Sequence, residues 1–186
     1  MILFRVVAAL ALLIDTTCTA LACGTERWPV KTGTDDDAAS VDLTPQDASV
    51  ASLIQIQPPQ HPKSRDSTRF APTELHVFSV QGTVTLVRLE EDQDYHIVLN
   101  DGQRAMIVES SNPSCATGSV FEQQLAAVRD KLDQQLGGPL LHISEKVKPG
   151  WNVTVTGVAF FDVKHGQTGV APNAIELHPL LDITFQ

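Results

Sequence analysis

The sequence is short of basic and aromatic residues. Thirteen Lys/Arg stand against twenty-two Asp/Glu, a formal net charge of −9, and aromatic side chains make up 5% of the chain with a single Tyr. A surface of that sign repels a phosphate backbone on average, and few rings are left to stack on bases, so nucleic acid is disfavoured as a partner. Several catalytic signatures are also missing. There is no G-x-S-x-G around a nucleophilic serine, no helical H-E-x-x-H and no glycine-rich phosphate loop between a strand and a helix; Gly150, Gly166 and Gly169 are turn glycines. The one long apolar run, residues 6–14, is too short to cross a bilayer, so no transmembrane segment is expected in the mature chain. Within these limits, 42% hydrophobic and 19% charged residues supply one sizeable core and one main domain.

The N-terminus has the layout of a signal peptide: Arg5, the apolar run, then small residues ending in Ala20-Leu21-Ala22, the A-x-A spacing that signal peptidase accepts. Residues 1–22 are therefore expected to be removed and the protein to be secreted or periplasmic. Of three cysteines, Cys18 lies in the removed segment, leaving Cys23 and Cys115 in an oxidising compartment. A disulfide between them closes a long loop, worth on the order of 4 kcal/mol at most. The rival is a lipid-modified Cys23, but that processing wants Leu three residues earlier, where Ala20 stands, and it strands Cys115 as an odd thiol.

Composition divides the mature chain into an arm (23–57), a Pro-rich linker (58–71) and a β domain (72–186). In the arm, Thr34 precedes Asp35-Asp36-Asp37-Ala38-Ala39, and Thr44-Pro45-Gln46-Asp47 places a cap residue, a first-turn proline and an acid together, so two short helices are expected. After Pro72 the period becomes two. Residues 74–89 read as a long strand bent at Gly82, 95–100 and 105–109 as two more around the Asn100-Asp101-Gly102 hairpin signal. Phe121, Leu125, Val128 and Leu132 mark an amphipathic helix stopped by Gly137-Gly138-Pro139. Residues 151–162 and 174–183 supply the last two strands. The order β-β-β-α-β-β, mainly β with a glycine-bent first strand, resembles the five-stranded Greek-key barrel known as the OB-fold.

Two blocks are more distinctive than the rest: Cys23-Gly24-Thr25-Glu26-Arg27-Trp28-Pro29-Val30-Lys31-Thr32-Gly33-Thr34-Asp35, and His165-Gly166-Gln167-Thr168-Gly169-Val170-Ala171-Pro172-Asn173 leading to Ile175-Glu176-Leu177-His178-Pro179. Together they resemble a group of uncharacterised secreted bacterial proteins. The resemblance implies export and a bacterial source, and brings no activity with it.

The candidate contact region is the hairpin between the last two strands, with His165, Gln167, Asn173, Glu176 and His178 as ligand-binding residues. The leading expectation is a non-enzymatic OB-like module that binds a small ligand, a polysaccharide or an envelope protein, with no cofactor. The alternative is a metal-dependent, nuclease-like hydrolase in which Asp162, His165, Glu176 and His178 hold a divalent ion, since carboxylate and imidazole are the ligands of zinc and related ions. The spacings D-x-x-H and E-x-H match no established metal signature, and in the structural alternative His165 and Asn173 merely satisfy loop backbone. Asp94, His96 and Glu109 are a weaker acid-base set, because alternation sets His96 opposite Tyr95 and Ile97 and so outside the barrel core.

Export and pairing have a direct readout. Protein recovered after export should begin at Cys23 by N-terminal sequencing, and its intact mass should rise by two hydrogens on reduction. An unchanged mass with both thiols open to alkylation contradicts the bridge.

Overall fold

The structure is a computed structural model that describes residues 23–60 and 65–186. The expected signal peptide lies outside the described residues. Among the described residues, seven strands and three α-helices follow one another as α1 (Trp28–Thr32), β1 (Asp42–Ala48), α2 (Val50–Leu53), β2 (His76–Leu89), β3 (Tyr95–Asn100), β4 (Ala105–Ser110), α3 (Glu122–Leu136), β5 (Lys146–Val147), β6 (Trp151–Phe161) and β7 (Ile175–Phe185).

Five of the strands close a barrel in the order β2-β3-β4-β7-β6 and back to β2. All neighbours are antiparallel except β4 and β7, which run parallel. This is the expected OB-like barrel, with α3 between its third and fourth strands. The period-two pattern explains the interior: Val80, Val84, Val87, Ile97, Leu99, Met106, Val108, Val155, Leu177 and Ile183 alternate inward and form one buried cluster. Helix α3 buries Leu125, Val128 and Leu132 and ends at Gly137, whose φ of 81° carries the chain out of the helix.

The bend in β2 falls slightly beyond the glycine that suggested it. Pairing with β3 slips between Val84 and Leu86, so Thr85 is the extra residue of a bulge. Gly82 has a different task. A Cβ there would meet the Leu99 side chain at 2.9 Å and the Asn100 carbonyl at 3.0 Å, so the close crossing of β2 over β3 requires glycine.

The arm departs most from expectation. Thr44-Pro45-Gln46-Asp47 does not open a helix but lies within β1, which runs parallel to the first half of β2. A cap residue followed by proline suits an edge strand as well as a helix start, and the unpaired edge of β2 offered hydrogen-bonding partners that a short exposed helix lacks. The helix begins later, where Ser49 and Ser52 cap each other reciprocally ahead of Val50. The stretch after Thr34 forms only a 3₁₀ turn at Ala38–Ser40.

Besides the pairing of β1 with β2, three side-chain links stand out among those that fasten the arm to the barrel. Cys23 and Cys115 form the expected disulfide, 92 residues apart in sequence. Asp35 grips Arg69 through two hydrogen bonds of 3.0 and 2.7 Å, which fixes the end of the compositional linker. Above all, Arg27 and Glu74 form a fully buried bidentate pair at 2.7 and 2.8 Å. Arg27 also donates to the carbonyls of Phe161 and Thr68 and lies between the rings of Phe70 and Phe160. Glu74 accepts in addition from the backbone N–H groups of Phe70 and Phe161.

Removing one partner strands the other charge in the interior. Glu74→Ala should cost about 3–5 kcal/mol in urea unfolding. A loss below about 1 kcal/mol, the range of a solvent-exposed ion pair, would show that the pair is not buried in solution.

Candidate functional site

On the outer face of the barrel the alternation brings together a row of polar side chains. Interior positions of β3, β4 and β7 are Tyr95, Ile97, Met106, Val108, Ile175 and Leu177. Their neighbours His96, Glu109, Glu176 and His178 therefore point outward. Pairing aligns them, because His96 lies opposite Glu109 and Val108 lies opposite Leu177. Near His178-Pro179 the ladder between β6 and β7 slips, with Gly157 facing Leu180 and Ala159 facing Leu177. Pro179, which has no N–H to give, occupies the bulge.

The arm covers this face. Lys31 of α1 reaches within 3.6 Å of Asp162, its ammonium 5.4 Å from the centre of the Phe160 ring, and the Lys31 carbonyl accepts from the Ser111 hydroxyl. His96, Glu176 and His178 are buried, as is Asp94 just before β3. The expectation that His96 lies outside the barrel core is correct, yet it is buried all the same, held between Glu109 and the Thr168 carbonyl of the loop between β6 and β7. Alternation reports which side of a sheet a residue occupies, not what packs on that side.

Two chains of contacts organise the cluster. His96 Nδ1 meets Glu109 Oε1 at 3.0 Å and its Nε2 meets the Thr168 carbonyl at 2.8 Å. Both partners are acceptors, so the ring that satisfies both carries two protons. His178 stands between Asp94 Oδ2, 3.3 Å from Nε2, and Glu109 Oε2, 3.1 Å from Nδ1. Neither contact has hydrogen-bond alignment, and both ring nitrogens, Asp94 Oδ2 and both carboxylate oxygens of Glu176 are buried without a hydrogen-bond partner.

The electrostatics follow from burial and crowding. Burial opposes the charge on Glu109, but the His96 hydrogen bond and the nearby His178 and Lys31 hold its carboxyl below the ordinary range. Burial, then Asp162 and Glu109, push the Glu176 carboxyl well up. Burial, with Asp94 and Glu109 beside it, raises Asp92 to about 6. Burial disfavours the Lys31 ammonium, but Glu109, Asp162, Glu176 and Asp92 outweigh it and hold the lysine charged.

A cleft of about 570 Å³ opens beside this cluster. The start of the arm, the turn between β2 and β3, and the loop between β6 and β7 form its walls, with Trp28, Asp92, Gln167 and Thr168 among the lining residues and Lys31, Glu109 and Asp162 at its base.

The residues singled out from sequence part company here. His165 and Gln167 line the cleft; His165 is exposed, 4.0 Å from Glu26, while Gln167 donates to Asp162 and the Val163 carbonyl and accepts from the His165 N–H. Asn173 turns away and donates to the carbonyls of Leu53 and Ile56, tying the loop to α2. Glu176 and His178 lie beneath the arm, 4.0 Å apart. The proposed metal set is thus split: His165 stays at the rim and Asp162 is paired with Lys31. Among the described residues, the group whose donor atoms all lie within 4.8 Å of one another is Asp94, Glu109 and His178.

These placements predict a ranking. Asn173→Ala should cost about 1–3 kcal/mol, because two carbonyls lose their donor, whereas His165→Ala should stay within about 0.5 kcal/mol. Denaturant melts of both variants check it, and the reverse order would contradict this loop structure.

No family model matches the chain, and no curated protein matches it. Among solved structures, it is similar to a putative aspartyl-tRNA synthetase from Leishmania major Friedlin at 14% identity and a TM-score of 0.42, over 79% of this chain and 22% of that one. A likeness at that level carries no argument about function.

Proposed function

We propose that the protein is an exported binding module that takes a short, uncharged or amine-bearing saccharide in the cleft between the arm and the barrel. The observation that carries this reading is the cleft itself, which combines an indole ring, an amide and carboxylates in about 570 Å³. That volume is in the range of small-molecule sites. An aromatic ring offers a face to the C–H side of a sugar, and the amide and carboxylates accept or donate to its hydroxyls. Glu26, Glu90, Asp92, Glu109 and Asp162 at or near the walls oppose an anionic ligand.

Export is supported by the disulfide, which forms and persists in oxidising compartments, and by the signal-peptide pattern of residues 1–22. Among the described residues no helix is long and apolar enough to cross a membrane. The position of the cleft adds an analogy at the level of fold: OB barrels often bind oligosaccharides or oligonucleotides with the loops that join their first two and last two strands, and those loops form two walls here. The negative charge and the arm lying over the outer face favour the first of these ligand classes.

Titration with short neutral and amino saccharides, followed by amide chemical shifts, should move Trp28, Asp92, Gln167 and Thr168 together. Trp28→Ala should weaken binding at least tenfold while Trp151→Phe, outside the cleft, leaves it unchanged. Perturbations elsewhere, or none across the panel, would reject the saccharide reading.

A further inference from the structure

We propose a divalent-metal site beneath the arm, formed by Asp94, Glu109 and His178, with Glu176 beside it. This inference does not depend on what the cleft binds. Asp94 lies just before β3, Glu109 on β4 and His178 on β7. Their potential ligand atoms all lie within 4.8 Å of one another.

The orphaned atoms point to a missing partner. Asp94 Oδ2 and both nitrogens of His178 are buried with no hydrogen bond, as are both oxygens of Glu176, one of them 4.0 Å from His178 Nδ1. Buried polar atoms in folded proteins are nearly always satisfied, and here five orphans share one place. The neighbouring charges are otherwise engaged. Lys31 faces Asp162, and His96 satisfies the other oxygen of Glu109.

The geometry separates a metal from a simple ion pair. An imidazolium held between two carboxylates would place their oxygens along its N–H directions. Here the oxygens stand 3.3 and 3.1 Å away but off those directions. Two ligands that share an ion at bond lengths of about 2.1 Å lie about 3.0–3.4 Å apart, a spacing that the contact at whichever nitrogen takes the ion already has, with the ion rather than the neighbouring ligand on the nitrogen lone pair. Two carboxylates neutralise a dication, and one imidazole nitrogen with carboxylate oxygens is a donor set for zinc, manganese or cobalt. The ring binds through one nitrogen, so the ion takes one carboxylate from beside that nitrogen and the other from across the ring, all three donor atoms lying within 4.8 Å of one another. Glu109 borders the cleft and gives the ion a route in.

The set shares only His178 and the nearby Glu176 with the metal ligands expected from the sequence, and takes Asp94 and Glu109 from the acid-base set. The test uses the oxidised chain from Cys23 onward, stripped with chelator and then given zinc, manganese, cobalt or calcium. One equivalent of a transition ion should bind and raise the melting temperature by about 5–10 °C at a hundredfold excess over Kd. Cobalt should give visible ligand-field absorption. Asp94→Asn keeps the oxygen that accepts from the Asn112 N–H, and should weaken binding at least tenfold; His165→Ala should not. Absence of both the melting shift and the cobalt absorption would overturn the site. So would binding that survives Asp94→Asn, or binding lost in His165→Ala.

Discussion

The buried pair of Arg27 and Glu74 is the contact on which the functional face depends. One carboxylate gathers four donors, two from the guanidinium and two from the backbone of Phe70 and Phe161. Those donors belong to the arm, the segment leading into β2 and the end of β6, so a single group holds three parts of the chain in register. Charge-assisted and bidentate bonds are the strong ones, and full satisfaction is what allows two charges to be taken out of water. Arg27 adopts a positive φ of 49° to reach this position, and the rings of Phe70 and Phe160 close over its guanidinium. The bridge from Cys23 and the Asp35–Arg69 pair secure the arm at either side of this anchor.

Once the arm is in place, the outer wall of the barrel changes character. His96, Glu109, Glu176 and His178 would be an ordinary solvated stripe on an open barrel; under α1 they become a low-dielectric cluster in which protonation is set by neighbours. Lys31 makes the cluster tolerable by bringing a cation from the arm to four carboxylates, Glu109, Asp162, Glu176 and Asp92. The cleft is a product of the same docking, since one of its walls is the arm. Fold, cluster and cleft thus share one cause.

Much of the scaffold could be read from residues alone, and the reason is local. Strand alternation, the Asn100-Asp101-Gly102 turn and the Phe121, Leu125, Val128, Leu132 spacing are signals carried within a few residues of where they act. The pairing of Cys23 with Cys115 followed from compartment and count. The cluster was less accessible because its members are brought together by docking of a distant segment. Asp94 and His96 share a face by simple alternation, and counting back from the hairpin places His96 opposite Glu109, so part of the cluster was available to register arithmetic. Nothing near Arg27 signals burial, as its partner lies 47 residues on. Thr44-Pro45 was misleading because its local preference fits two states, and the free edge of β2 decided between them.

The central claim is that the arm is an integral layer over the barrel, and amide hydrogen exchange tests it most directly. The N–H groups of Val30, Lys31 and Thr34 are bonded within the arm, to the carbonyls of Arg27 and Pro29. If the arm opens only with the whole domain, these amides should exchange at rates within a factor of about ten of the β2 and β6 core amides, a difference below about 1.4 kcal/mol in opening free energy. Exchange of the arm orders of magnitude faster, with the barrel still protected, would mean that the arm detaches on its own and that the buried cluster and the cleft are not standing features of the protein.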